Sequence, residues 1–500
     1  MSRKKIIKII FQYLKRFKKE LIIAFIFLIT FTILQLLTPA LLGYIIDNKL
    51  SNGINLKDLK YIMLLVGGYF LLGFSQAIFR YLSNFRFHKL ANLLAIDIRE
   101  DLYSHIQKLP MSYYDKTAVG KIVTKITNDT NSLKEFFNNA FSQFLTSFVF
   151  IILTIIVFIV KVPWALIFIL VPMPIIIFLI ITYDKKTIGP LRKYRKGIST
   201  INSNINENIE GMEVIKSFNV EDGVREDFEE LTEETKNLAM EYFKITAKIG
   251  GSNMTNMLQR FNTLIIVALF IYMNLKGYTY FSAGLLYILV DYTERIYQQV
   301  SRIMNRISDF ERSIAATEQI FDIFAIDVEK SKEKEGIKLK GDVEFIDLSF
   351  YYLDEDYVLK DISFKIDRGT SVALVGETGS GKSSIINLIF RFYKEQKGKI
   401  LFDGIDANEY SIYDLRDNMA IVLQEPFIYE ASLRDNICLG DYYSDDDILS
   451  ALFSVGGEII YKNMEKGLDT IINKGGSNLS QGEKQIITFA RAIIRDPKIL

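Results

Sequence analysis

Long runs without a charge mark the first part of this sequence, at residues 21–46, 61–79, 136–160 and 162–183. A helix needs about 20 mostly apolar residues to cross a bilayer, and a charge at its centre is costly, so each run predicts a membrane span. Two further stretches are interrupted. Residues 249–275 contain Arg260, and residues 277–290 run into Asp291, so each completes a span only if a charge is tolerated in its inner half. A buried soluble helix would explain one such stretch but not the series. The expectation is an α-helical membrane domain of six spans.

The polar connections between these runs are unequal. Those at 47–60, 161 and 276 are short, whereas 80–135 and 184–248 are long, charged and patterned like helices. They predict two intracellular helical arms, each a hairpin of about 28 residues per limb that reaches roughly 40 Å past the membrane. Positive charge crowds the N-terminus at Arg3, Lys4, Lys5, Lys8, Lys15, Arg16, Lys18 and Lys19 and is sparse in the short connections. That bias places the N-terminus, the arms and everything after the last span in the cytoplasm. No small-residue cleavage site follows the first apolar run, so it is expected to remain as a span rather than leave as a signal peptide.

Near residue 326 the pattern changes. Dense Glu and Lys predict a solvated linker over 326–340, and from Gly341 short strands and Gly-rich turns alternate with helices, as in an α/β domain. The expected domains are therefore 1–325 in the membrane, the linker 326–340, and an α/β domain over 341–500. The composition of 49% hydrophobic and 24% charged residues averages these territories. A net charge of +1, with no basic tract interleaved with aromatics, leaves nucleic acid out of the expected partners. Cys438 is the sole cysteine, which excludes an internal disulfide, and it is expected as a small buried residue.

The clearest chemistry lies in the α/β domain. A β-branched run over 370–375 predicts a strand, followed by Gly376-Glu377-Thr378-Gly379-Ser380-Gly381-Lys382-Ser383 and a helix opening at Ser384. This is G-x-x-x-x-G-K-[ST] in its strand, loop, helix setting. The glycines let the backbone aim successive N–H groups at phosphate oxygens, and the helix N-terminus adds partial positive charge. Lys382 would hold the β- and γ-phosphates and Ser383 would ligate Mg²⁺. A nucleoside triphosphate site is predicted.

Leu479-Ser480-Gln481-Gly482-Glu483 resembles the LSGGQ signature of ABC ATPases, residues 421–436 resemble their Q-loop region, and 341–352 is similar to the start of the same domain in ABC exporters. With the spans and arms, the whole chain resembles an ABC exporter half-transporter. The resemblance implies that Tyr352 stacks on adenine, with Tyr351 as the neighbouring alternative on the opposite strand face. It implies an ATP site of Tyr352, Gly376, Glu377, Thr378, Gly379, Ser380, Gly381, Lys382, Ser383, Ser384 and Gln424, with Ser383 and Gln424 on Mg²⁺. Ser480, Gln481, Gly482 and Glu483 would face the ATP of a second subunit. Segments 110–115 and 208–214 look like the short coupling helices that dock on the nucleotide-binding domains.

Two departures qualify the resemblance. Gln481 and Glu483 replace the usual Gly and Gln of the signature, and Ser480-x-x-Glu483 before a helix is also a capping box. The sequence reaches Leu500 where the family enters the strand that carries the Mg²⁺-binding aspartate and the catalytic glutamate, so a truncated α/β domain is expected and no general base is assigned. His88 and His105 lie in the first arm and do not substitute. The function implied is ATP-driven, alternating-access export of an amphiphile, drug or lipid, by a dimer in the plasma membrane. A leader-peptidase domain has no room before the first span, which weakens a peptide-processing role. A degenerate or sensor subunit is the alternative, favoured slightly by Glu483. Arg260 and Asp291 sit at matching depths of roughly 21–23 Å from the short turn near Lys276, which makes them a candidate intramembrane pair.

Overall fold

The computed structural model describes residues 3–50, 59–249, 251–277, 282–329, 332, 335–352 and 356–500. Parts of the 47–60 connection, of the turn after Lys276 and of the linker therefore lie outside the described residues. The chain divides into two compact units, Met1–Ile106 with Gly120–Ala325, and Gln107–Val119 with Ile326–Leu500.

The first unit is helical because lipid leaves no other partner for backbone N–H and C=O groups. Among the described residues, five helices are long and apolar enough to cross a membrane: Lys18–Asn48, Lys60–Ile106, Val119–Lys161, Pro163–Glu210 and Met254–Leu275. Where the sixth span is expected, a single helix runs over Ala283–Phe324, and polar residues from Asp291 onward keep it out of that set. The helix Leu59–Ile106 has 48 residues, a length of roughly 72 Å, so the second span passes into the first arm without a break. In the second arm, Met173–Glu210 and Glu221–Ile249 pack side by side, with Tyr194 stacked on Tyr242 at 6.3 Å. Gly197 permits that approach, since a Cβ there would lie 2.8 Å from Thr235 Oγ1.

The short helix at the tip of this arm is Met212–Phe218, four residues beyond the expected 208–214. Gly211 caps the preceding helix, and Asn219 ends the short one in the left-handed region at φ 51. The break therefore falls where residues tolerate it.

Several polar groups inside the first unit are satisfied locally. Thr32 and Thr154 donate to the carbonyls of Leu28 and Phe150 one turn back, Ser147 donates to Gln299 at 2.9 Å, and Tyr292 donates to Leu36 O at 2.6 Å. Tyr292 sits in a core with Phe150, Phe158, Ile266 and Leu289. The end of the first membrane helix grips the start of the last: Asp47 accepts from Ser282 Oγ at 2.5 Å and from Gly284 N–H at 2.6 Å.

In the second unit, β1 (Val343–Phe350) pairs antiparallel with both β2 (Leu359–Ile366) and β3 (Lys397–Phe402), and β3 pairs with β4 (Ile405–Asp406), giving the order β2-β1-β3-β4. Phe345, Leu348, Phe350, Leu388, Ile400 and Phe402 form its core. Segment 370–375 is not a paired strand as expected. Its backbone joins no sheet, and Val375 is 92% exposed. β-branched side chains favour extended backbone, but a strand also needs a neighbour to pair with. The expected solvated linker is pinned in its described part: Asp414 accepts from Glu335 N–H and Gly336 N–H, each at 2.8 Å, and Asn418 accepts from Leu339 N–H at 3.0 Å.

Where the first and last membrane helices meet, a Cβ at Gly284 would overlap the Gly43 carbonyl and the Asp47 carboxylate, whereas one at Gly43 would meet only the flexible Ile288 side chain and, less closely, the Gly284 carbonyl. Gly284→Ala is expected to destabilise the detergent-solubilised protein by about 1–3 kcal/mol, and Gly43→Ala by less, read as thermal midpoints.

Candidate nucleotide-binding site

The loop after Val375 winds through conformations that glycine adopts at least cost. Gly379 and Gly381 both lie at φ 89. At Gly381 a Cβ would also approach Leu359 Cδ2 at 2.6 Å, so neither the backbone nor the space admits a larger residue. The turn then feeds directly into the helix Lys382–Ile389, whose first N–H groups have no helical acceptor and are free for an anion. Lys382 curls back over the loop, its Nζ donating to the carbonyls of Gly376 and Glu377 at 2.7 Å each. An ammonium held there can exchange neutral carbonyls for phosphate oxygens, which make stronger, charge-assisted bonds. Glu377, Thr378, Ser380 and Ser383 are exposed, while Ser384 is buried.

Ser384 is buried because it takes part in positioning an aromatic. The Tyr352 hydroxyl donates to Ser384 Oγ at 3.0 Å and accepts from Asn387 Nδ2 at 3.1 Å, and its ring stands edge-on to Phe350 and Tyr393 at 4.7 and 4.8 Å. Tyr351 packs instead against Tyr357 at 5.2 Å. Of the two tyrosines, Tyr352 is the one against the helix Lys382–Ile389.

Tyr393 was not singled out from the sequence, yet it joins this site to the tip of the first arm. It donates to Asp115 on the short helix Met111–Lys116, which coincides with the expected coupling segment 110–115 and packs as part of the second unit. Burial and the Asp115 carboxylate hold the Tyr393 hydroxyl protonated well above the usual tyrosine range. A second tie lies close by in the chain: Glu329 N–H donates to Lys108 O at 2.8 Å, while the Glu329 carboxylate takes both nitrogens of the Arg416 fork at 2.8 and 2.9 Å. The only sequence signal for Tyr393 was the aromatic run Phe390-Arg391-Phe392-Tyr393 behind the P-loop helix.

Gln424 is exposed at a bend that follows residues 421–423, outside any sheet. Ser480 and Glu483 form the capping box. Ser480 Oγ accepts from Glu483 N–H at 3.3 Å, and Glu483 Oε2 accepts from Ser480 N–H at 2.7 Å, at the start of the helix Gln481–Ile493. Buried Ile487 and Ala490 fasten that helix to Leu433, Ile437 and Leu452, so Ser480, Gln481 and Gly482 are presented, exposed, on a rigid base. Cys438 is buried in the same core, and burial pushes its thiol pKa up.

The structure does not bring Arg260 and Asp291 together. Asp291 is held by Arg295 one turn along its own helix, at 2.5 and 3.2 Å, and Arg260 is exposed. The matching depths followed from helix rise alone, and the closer i,i+4 partner takes the carboxylate.

Among the described residues no cluster of three or more His, Cys, Asp or Glu could hold a metal by itself. Mg²⁺ fits this donor set only as a hard cation that takes neutral oxygens from the protein, Ser383 Oγ and the Gln424 carbonyl, and the rest of its shell from phosphates and water.

The helical unit and the phosphate-binding unit together define a membrane protein that binds and uses a nucleoside triphosphate. The family description "ABC transporter transmembrane region" matches residues 21–309, and "ABC transporter" matches 359–500. The chain is 32% identical to "Putative ABC transporter ATP-binding protein exp8" of Streptococcus pneumoniae, over 99% of this chain and 84% of that protein. It is 36% identical to "Probable multidrug resistance ABC transporter ATP-binding/permease protein YheH" of Bacillus subtilis, over 89% of this chain and 66% of that one. The solved "Structure of a bacterial Atm1-family ABC exporter with ATP bound" superposes with a TM-score of 0.80 at 18% identity, over 96% of this chain and 84% of that one, which supports the fold. The chain belongs to the ABC transporter family, as an exporter-type half-transporter with fused membrane and ATP-hydrolysing domains.

Because a glutamine can keep the capping box, Glu483→Gln is expected to leave the thermal midpoint essentially unchanged and ATPase activity equal or higher, while Glu483→Ala lowers stability by about 0.5–1 kcal/mol. In double-mutant cycles on thermal stability, Asp291→Asn and Arg295→Gln should be non-additive, whereas Asp291→Asn and Arg260→Gln should add.

Proposed function

We propose that this chain is one half of a dimeric exporter that couples ATP binding to alternating-access movement of an amphiphilic substrate, drug or lipid, out of the cytoplasm. The observation that carries this reading is that a single chain holds one phosphate-binding loop and one Ser480 signature, while the resemblance requires each ATP to be sandwiched between a loop and a signature from different subunits. A second copy or a paralogue is therefore the partner. ATP would favour the closed pair of nucleotide-binding domains because it binds that state better than the open one, and only this difference in affinity can move the equilibrium. The dense positive charge before the first span supports a cytoplasmic N-terminus, with the arms and ATP site on the same side.

In the closed dimer Lys382 exchanges the Gly376 and Glu377 carbonyls for phosphate oxygens, and the helix N-terminus at Lys382 holds the same anion by its backbone N–H groups. Mg²⁺, when bound at Ser383 and Gln424, would supply positive charge between the phosphates. Tyr352, fixed by Ser384 and Asn387, offers a ring face to the base. Ser480 and the N–H groups of Gln481 and Gly482 would meet the partner's γ-phosphate. Glu483 is engaged in its own helix cap, which supports a competent signature over a degenerate one.

The test is Lys382→Ala in proteoliposomes. ATP-dependent uptake of an amphiphilic dye such as Hoechst 33342 into inside-out vesicles should fall at least about tenfold, with membrane insertion unchanged, because a charge-assisted phosphate contact is lost. Transport at the parent rate by a homodimer of the variant would overturn the reading.

A further inference from the structure

The seat for the base and the seat for the phosphates are joined through one hydroxyl. Ser384 and Asn387 stand three residues apart on the helix Lys382–Ile389, so their side chains share a face. Both meet the Tyr352 hydroxyl, which accepts from Asn387 Nδ2 at 3.1 Å and donates to Ser384 Oγ at 3.0 Å. In sequence Tyr352 lies 32 residues before Ser384, with all of β2 between them. The spacing between the aromatic and the phosphate loop is therefore set by contacts rather than by a short stretch of chain. Phe350 and Tyr393 brace the ring edge-on, but apolar contacts of this kind are far less directional than a hydrogen bond.

A tyrosine that only stacked on a base could leave its hydroxyl to water. This hydroxyl is committed inside the protein both as acceptor and as donor, while the residue stays 36% exposed. The polar end is fixed and the ring remains accessible, as suits a platform held ready for a flat ligand. Asn387 belongs to neither the phosphate-loop motif nor the signature.

We infer that Asn387 is a positioning residue for the nucleotide: by holding the Tyr352 hydroxyl against the helix Lys382–Ile389, it keeps the base seat at the separation from the phosphate seat that one nucleoside triphosphate can bridge. ATP then binds at two points of a single rigid body. Once the triphosphate is seated, the base finds its platform within reach, and the second contact is intramolecular. With a loose platform the ring has to be ordered as the base arrives, and affinity falls by that cost. A ligand that uses only the phosphate seat is indifferent to the change.

The inference rests on the reading that Tyr352 takes the base, and the experiment separates the two. The full chain in detergent is titrated by calorimetry with magnesium adenylyl imidodiphosphate, which carries a base, and with magnesium tripolyphosphate, which does not. Asn387→Ala and Tyr352→Phe should each weaken the nucleotide about three- to tenfold, as the loss of a neutral hydrogen bond does, and leave tripolyphosphate unchanged. The double variant should match Tyr352→Phe alone, since the tyrosine hydroxyl carries the bond that Asn387 makes. In steady state, the KM of Asn387→Ala for ATP should rise by a larger factor than its kcat falls. Equal losses for nucleotide and tripolyphosphate would overturn the inference, because a merely structural role loosens both seats alike. Strict additivity in the double variant would also overturn it, by giving Asn387 a route to the nucleotide that bypasses Tyr352. Tyr352→Ala tests the reading beneath. If Tyr352→Ala is weakened while Asn387→Ala binds like the parent, the positioning role alone fails; if Tyr352→Ala itself binds like the parent, the base does not rest on Tyr352 and both fail.

Discussion

Everything in the first unit follows from one constraint, that a peptide N–H or C=O in hydrocarbon must find its partner inside the protein. Helices meet it along their length. Where the helix is interrupted, another side chain takes over, as Asn262 does for the Phe168 carbonyl and as Asp47 does for the Gly284 N–H at the start of Ala283–Phe324. Among the polar side chains in the core, Thr32 and Thr154 point back to the previous turn and Ser147 reaches across to Gln299. The same demand makes Leu59–Ile106 one uninterrupted element, and a single helix transmits displacement from one end to the other without a joint that could absorb it.

The second unit answers a different demand, to gather N–H donors around an anion. It does so at two helix starts built in opposite ways. At Lys382 the cap is a left-handed glycine, which leaves the first N–H groups free, with only the lysine folded over them. At Gln481 the cap is a reciprocal serine and glutamate, which occupies the Glu483 and Ser480 donors and leaves those of Gln481 and Gly482 outward. An open helix start and a partly satisfied one suit a primary phosphate cradle and a secondary contact.

The sequence was readable wherever one residue type alone meets a physical need. The apolar runs could only be spans, and the glycines and lysine of residues 376–383 could only make a phosphate loop. The capping box was equally visible, since its partners are three residues apart. Reading failed where the deciding contact was tertiary. Residues 370–375 have strand chemistry but no neighbour to pair with. The second arm turned at Gly211 rather than at Asn208, because only the cap residue could end a helix whose propensity continued. Asp291 chose Arg295 over Arg260 because four residues along a helix are closer than two helices at equal depth. Tyr393 was invisible, since nothing local distinguishes it from core aromatics and its partner Asp115 lies 278 residues away.

That separation sets an order of events during synthesis. The short helix Met111–Lys116 emerges from the ribosome long before Tyr393 exists, and at about 5–20 residues per second the wait is roughly 15–60 s. Through that interval the tip of the first arm has no seat, and the membrane helices on either side of it must insert without the surface it will rest on. The Asp115–Tyr393 contact is therefore a late event, open to the short helix only once the chain has been made past residue 393.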